Sequence, residues 1–306
     1  MKKIFSFLFI LMLCHGLAEA KHEIIAVQSA DYKPFKEAIE GFERSCDVNL
    51  QKIIIAESQG KDVVREIKLK RPDMVLAVGP DALTLVKKIK DIPIVYLMVL
   101  NPQSALSGQE NITGVSMNIP PGKQLQALVQ RLPRTKRVGL LYDPKNTGYL
   151  VKEVQQAAGD MGIVLTTRVV RHARDVATSA MEMKKDIDVF WMLPDVTVMT
   201  PETVEFLVLF SLKYHIPLLA PSEKWLDLGA FLSTGIDAFD MGAQAGDMAN
   251  KILSGKEVKH VQQALARKYV VSTNLIVAGK LGIGVNLAMA SDDDNEKIDR
   301  KTLTLQ

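Results

Sequence analysis

A β-branched run, a turn, an amphipathic run and a second β-branched run occur in each half of the chain, and this repetition restricts the fold more than any other feature. In the first half Arg71-Pro72-Asp73 opens Met74-Val75-Leu76-Ala77-Val78, which closes at Pro80-Asp81. In the second, Asp188 opens Val189-Phe190-Trp191-Met192-Leu193, which closes at Pro194-Asp195. A helical stretch follows each, then Ile92-Pro93-Ile94-Val95 or Ile216-Pro217-Leu218-Leu219. Strands that are apolar along their whole length and alternate with helices belong to parallel sheets covered on both faces. Two copies of one such unit predict an α/β protein of two doubly wound parallel-sheet lobes, against the alternative of one long sheet.

The rest of the chain fits this frame. Strands are expected at 24–27, 50–56, 93–99 and 112–117, with helices at 34–42, around 63–69 and at 82–89. Phe35, Ile39 and Phe42 carry the helical spacing of the first. Residues 101–110 read as a polar loop. In the second half, strands are expected at 137–142, 164–169, 218–219 and 231–234, with helices at about 146–161, through Ala177 and Met181, and at about 201–214, where His215 ends the helix. Beyond Thr234, a strong helix runs through Met241, Ala245, Met248 and Ile252 to Gly255, then a strand at 269–271 and a short helix at 275–281. These late elements read as the chain passing back between lobes.

The N-terminus is read apart from the fold. Lys2-Lys3, the apolar run Ile4–Leu13 and the small residues of Ala18-Glu19-Ala20 make residues 1–20 a secretory signal peptide with cleavage before Lys21. The apolar run is too short for a membrane-spanning helix. Lipid attachment at Cys14 is the weaker reading, because a bulky Leu stands where a small residue is wanted. The expected location is therefore periplasmic. Without Lys2, Lys3 and Glu19 the formal charge falls from +3 to +2, which argues against a nucleic-acid partner. Cys46 then remains alone, so neither an internal disulfide nor a Cys-rich metal site is available. The charged stretch Ser291–Arg300 marks 289–306 as a solvated, disordered tail.

In open parallel sheets, ligands bind outside the carboxyl ends of the strands. Two such sheets facing each other make one cleft. The candidate ligand-binding residues are therefore Ser29, Asp31, Tyr32, Gly79, Pro80 and Asn101 in the first lobe. In the second they are Asn146, Thr147, Asp195, Ser222, Trp225 and Asp237. Gly79 would let backbone approach a ligand, with the following helix directing its positive end at a carboxylate. Asp195 would take a ligand ammonium, or else be an ordinary turn carboxylate. Asn146 and Thr147 either face the ligand or cap a helix. Tyr32 and Trp225 either stack on a ring or pack against their lobe. No nucleophile elbow, phosphate-binding loop or paired metal-ligand histidines occur, so no enzyme activity, cofactor or metal is expected.

Several segments resemble the ABC-transporter substrate-binding proteins of the group that includes tryptophan- and tyrosine-binding members. They are Pro72-Asp73 to Ala82, Ile92–Val95 with Val99-Leu100-Asn101-Pro102, and Asn111-Ile112-Thr113-Gly114-Val115-Ser116. Arg137–Tyr142 with Asn146, Gly229–Asp237, Met241-Gly242, Met248-Ala249, Ile252–Lys256, Asn274 and Leu281-Gly282-Ile283 continue the match, which runs from about Asp31 to Gly284. The resemblance implies a type I periplasmic-binding fold with a three-crossover hinge. Lobe 1 would be 21–117 plus about 238–260, and lobe 2 would be 118–237 plus about 261–288, with crossings near Asn118, Ala238 and His260. It implies a monomer that closes on a small polar or aromatic, amino-acid-like ligand and delivers it to an inner-membrane ABC permease. The alternative is a periplasmic sensing subunit that signals to a membrane partner. Asn101 and Gly79 depart from the family, which has Asp and Thr there, so the ligand is expected to differ in detail.

Overall fold

The computed structural model describes residues 21–58, 62–106, 108–286 and 296–299. Residues 1–20, expected to be a signal segment, and most of the expected tail lie outside the described residues. Two sheets organise the rest. The first contains β1 (Glu23–Gln28), β2 (Asn49–Ile54), β3 (Met74–Val78), β4 (Ile94–Val99), β5 (Ile112–Ser116) and the two-residue β11 (Ala264–Leu265), in the order β11-β5-β4-β3-β1-β2. The second contains β6 (Arg137–Tyr142), β7 (Val164–Val169), β8 (Val189–Trp191), β9 (Leu218–Ala220), β10 (Leu232–Ile236), β12 (Tyr269–Thr273) and β13 (Glu296–Asp299), in the order β13-β12-β10-β9-β8-β6-β7. The repetition read from sequence is thus a repeated topology: β2-β1-β3-β4-β5 in one lobe and β7-β6-β8-β9-β10 in the other, all parallel. Among the described residues only the pairing of β10 with β12 is antiparallel.

Every strand residue of β3 and β4 is buried, because both faces of the first sheet are covered. On one face α1 (Lys33–Ser45) and α9 (Ala238–Leu253) pack over Ile24, Ala26, Leu76 and Leu97. On the other, α2 (Val63–Lys70) and α3 (Pro80–Val86) cover Ile25, Val27, Val75 and Tyr96. A short α4 (Gln103–Leu106) interrupts the stretch expected to be loop. In the second lobe α5 (Pro121–Arg131), α6 (Gly148–Asp160) and α10 (Leu275–Leu281) lie on one face. The other face carries α7 (Val176–Met183) and α8 (Pro201–Tyr214). His215 ends α8 in the left-handed conformation, φ 57°.

The crossings between lobes follow from strand membership. The chain leaves the first sheet after β5 and returns after β10, where α9 packs on α1. The last crossing comes later than the expected position near His260. Val261 is still in the first lobe's core and β11 pairs with β5, so the chain changes lobe between Leu265 and Tyr269. A two-residue strand without alternation gives no periodic signal, which is why sequence reading passed over it. Within the tail expected to be unstructured, Glu296–Asp299 pair in parallel with β12.

The α1–α9 contact is closer than ordinary helix packing. A Cβ placed on Gly242 would overlap the Ala38 carbonyl oxygen, and one on Gly41 would overlap that of Phe239. Gly242→Ala is therefore expected to cost about 3 kcal/mol, since two backbones must separate. Gly159→Ala, which meets nothing within 4 Å, should be neutral or gain up to about 1 kcal/mol. Urea titration of both variants checks the contrast, and equal effects would contradict the packing argument.

Candidate functional site

In both sheets the chain order reverses beside the first strand: between β1 and β3, and between β6 and β8. The loops leaving the carboxyl ends of such a pair diverge to opposite faces and leave a crevice, the usual ligand position in this architecture. In the first lobe the crevice is flanked by Gln28-Ser29 and Gly79. Ser29 Oγ accepts the Ala82 N–H at 3.0 Å, which satisfies one of the free donors at the start of α3. Gly79 has φ 94°, and a side chain there would strike Ser29 Oγ and the Phe35 ring. Its glycine is required by close packing within the lobe. Of the first donors of α3, the Ala82 N–H thus already has an internal partner, and Pro80 has no N–H.

In the second lobe the crevice holds a buried polar network. Asp195 is 1% exposed. Its Oδ2 accepts the Asp143 N–H at 2.8 Å and the Thr147 hydroxyl at 2.6 Å. Its Oδ1 accepts Asn146 Nδ2 at 3.2 Å, the Thr197 N–H at 2.9 Å and the Val198 N–H at 3.3 Å. Asp143, 6% exposed, accepts the Lys145 N–H at 3.0 Å and the Thr197 hydroxyl at 3.0 Å. The Lys145 N–H, followed by the Thr197 hydroxyl, holds the Asp143 carboxyl below the ordinary carboxylate range against the opposing effect of burial. Two carboxylates thus stand together with hydroxyl, amide and backbone donors around them. The network joins the β6–α6 and β8–α8 loops and sets the shape of the lobe-2 wall.

Structure and sequence expectation differ at several of these positions. Asp195 accepts five internal hydrogen bonds, so its first role is to position the loops. Neither Asn146 nor Thr147 caps α6 through its side chain. Both bind Asp195 instead. Thr197, which no sequence signal singled out, bridges the two carboxylates. Trp225 is half-buried against the lobe-2 core, with Lys224 Nζ 4.6 Å from its ring centre. Ser222 begins the short turn containing Trp225. Asp237 caps α9 by accepting the Asp240 N–H at 3.0 Å.

The remaining candidates lie on the loops that follow β1, β3 and β4. Asp31 pairs with Lys36 at 2.9 Å. Tyr32 is 62% exposed and meets Phe35 edge to face. Pro80 is exposed. Asn101 sits at φ 50°, and its N–H donates to Asn118 Oδ1 at 3.2 Å. Just before it, Met98 has φ 58° where the β4–β5 register shifts between Tyr96 and Val99. Such a bulge turns the strand end and re-aims the residues after it, here Leu100 and Asn101. Gln28, the last residue of β1, is 3% exposed, and its Oε1 has no hydrogen-bond partner among the described residues. Two surface cavities, of 490 Å³ beside Lys90 and Glu257 and of 390 Å³ beside Leu226 and Lys280, lie at the opposite ends of the sheets. They share no residue with the crevices. No group of three or more His, Cys, Asp or Glu side chains suited to a metal occurs among the described residues.

The model of the ABC transporter substrate binding protein family matches residues 38–295. The chain belongs to that family. It is a substrate-binding protein and not an enzyme. A tyrosine-binding protein of Clostridioides difficile is 25% identical over 197 residues, covering 61% of this chain. The chain spans 56% of that relative's length. An uncharacterised protein of Rickettsia prowazekii is 21% identical over 90% of both chains. Among solved structures, the ligand-free, open form of a substrate-binding protein with adhesive properties from Clostridium difficile matches at TM-score 0.75 and 19% identity, covering 91% of this chain and 99% of that one. An L-tryptophan complex from Streptococcus pneumonia matches at TM-score 0.60 and 20% identity, covering 86% and 95%. These likenesses show the type I periplasmic-binding fold. Among the described residues no helix is long and apolar enough to cross a membrane.

Replacing Asp195 by Ala is expected to cost about 3 kcal/mol in chemical denaturation, because buried donors lose their acceptor. Asp143, with its depressed folded-state pKa, contributes stability that is present above about pH 4 and lost as the pH falls through its folded value. Asp143→Asn should therefore flatten the acid limb of the stability–pH curve, and an unchanged limb would remove this assignment.

Proposed function

We propose that the protein is the exported, periplasmic binding component of an ABC importer, closing on an amino-acid-like ligand with an aromatic side chain and handing it to a membrane permease. The observation that carries this reading is the mixed chemistry at the carboxyl ends of both sheets. Large apolar side chains are exposed there: Tyr32 (62%) and Leu100 (51%) in the first lobe, Tyr149 (45%) and Val196 (78%) in the second. They flank polar crevices that hold Asp143 and Asp195 on one side and Gln28 and Ser29 on the other. An amino acid needs both kinds of surface, since its ammonium is stabilised by buried carboxylates and its ring by aromatic contacts.

The family and the binding partners of its relatives support the same ligand class. A tyrosine-binding protein is among the curated relatives and an L-tryptophan complex among the similar structures. The basic start, apolar run and small residues before Lys21 support export. The ligand bridges the lobes and so favours the closed arrangement over the open one by its difference in affinity for the two.

A thermal-shift screen of the purified protein against the amino acids, with nucleosides as a contrast set, tests the proposal. L-Tyrosine or L-tryptophan at 100 times its dissociation constant is expected to add about 2.7 kcal/mol of stability. Tyr32→Ala and Tyr149→Ala should each weaken that ligand about tenfold, in line with aromatic contacts of about 1.5 kcal/mol. A screen in which no amino acid raises the melting temperature would sink the ligand assignment, and tyrosine variants that bind as tightly as the parent would sink the site.

A further inference from the structure

Three segments join the lobes, and hydrogen bonds divide each of them sharply between one lobe and the other. In the first, the Asn118 N–H donates to Ser116 Oγ at 3.2 Å, and Asn118 Oδ1 accepts the Asn101 N–H at 3.2 Å. Asn118 therefore belongs to lobe 1. The next carbonyl, of Ile119, accepts Gln124 Nε2 at 2.9 Å, and Gln124 Oε1 accepts the Thr234 hydroxyl at 3.2 Å. Ile119 therefore belongs to lobe 2. Only the link between Asn118 and Ile119 is left to bend.

The second and third segments lie side by side, and the Asp237 N–H donates to the Lys268 carbonyl at 3.2 Å. Up to Arg267, the third segment is held to lobe 1. The Ala266 N–H donates to the Ser116 carbonyl at 3.0 Å. Gln244 on α9 donates to the Leu265 carbonyl at 3.0 Å and accepts the Arg267 N–H at 3.1 Å. The Arg267 guanidinium makes a two-pronged contact with Asp240, Nε to Oδ2 at 2.9 Å and Nη2 to Oδ1 at 3.1 Å. A further Nη1 contact reaches Asp247 at 3.3 Å, and Lys268 Nζ stands 3.6 Å from Asp240. Asp240 is the third residue of α9, and its N–H donates to Asp237, so the fork and the cap meet on the residues that begin the helix.

We propose that Arg267 and Asp240 are positioning residues that clamp the third crossing to α9 and confine lobe rotation to two joints, Asn118–Ile119 and the Asp237–Lys268 pair. A planar guanidinium held at two points fixes orientation as well as distance, which a single ammonium contact does not. With the clamp in place the two sheets close along one path, and the crevice residues of both lobes meet in one register. Without it, residues 265–268 add a second place to bend. Fewer molecules then hold the binding-competent geometry, and apparent affinity falls by the same fraction. The inference rests on the fold and not on the identity of the ligand.

Pulsed electron-spin distance measurements on the ligand-free protein test it. Nitroxides would be placed at the exposed positions Glu40→Cys in lobe 1 and Lys152→Cys in lobe 2, in a Cys14→Ser, Cys46→Ala background. Arg267→Gln and Asp240→Asn are expected to broaden the interlobe distance distribution, and Arg267→Lys to broaden it less. Gln244→Ala, which alters no charge, should broaden it as well and covers the case in which a charge variant fails to fold. Folded variants, established by circular dichroism, that keep the parent's distribution while melting at a lower temperature would show a merely structural pair and overturn the proposal.

Discussion

The first sheet cannot be closed off from water by the helices of its own half. One face is covered by α2 and α3, but the other needs α9 beside α1, and α9 is encoded after the whole parallel core of lobe 2. Residues such as Met241, Ala245 and Met248, all nearly buried, supply the missing apolar surface. Burial of that area drives the chain back across the gap, at roughly 25 cal/mol per Å². The hinge follows from this debt of surface. Once α9 must return to lobe 1, a second crossing is unavoidable, and a third follows because β12 pairs with β10 in lobe 2.

The two lobes repeat a topology but not a chemistry. Both copies end their third strand in Pro-Asp, at Pro80-Asp81 and Pro194-Asp195. In lobe 1 Asp81 is exposed in the first turn of α3, while Ser29 from the neighbouring strand end meets the helix donor. In lobe 2 the same dipeptide turns its carboxylate inward, where it accepts the Asp143 and Thr197 N–H groups and the Thr147 hydroxyl. A repeated motif thus positions two loops around two different internal partners. The lobe-2 crevice holds the Asp143 and Asp195 carboxylates and the lobe-1 crevice the Gln28 amide and the Ser29 hydroxyl, so a dipolar ligand would meet unlike environments at its two ends.

How much was legible can be judged residue by residue. The run Met74–Val78 is apolar at every position, and a strand buried on both faces has no other pattern. Phe35, Ile39 and Phe42 repeat at the helical period and all face the lobe-1 core. The loops that carry the candidate site could be placed because parallel strands send their carboxyl ends to one edge of the sheet. The individual roles could not. Nothing in the letters Asn146-Thr147 distinguishes a helix cap from a partner of Asp195, because the deciding neighbour is about fifty positions away. The two-residue β11 and the strand at Glu296–Asp299 escaped for a related reason: their pairing partners, not their own composition, make them strands.

Periodicity along the chain, a local property, was enough to establish two doubly wound lobes and the edge on which their loops gather. Which polar groups lie buried against one another, where the third crossing occurs and which carboxylate grips Arg267 were decided only when distant segments came together. Hydrogen-bond partnership and burial are relations between residues far apart in the chain, and they have no counterpart in the order of residues alone.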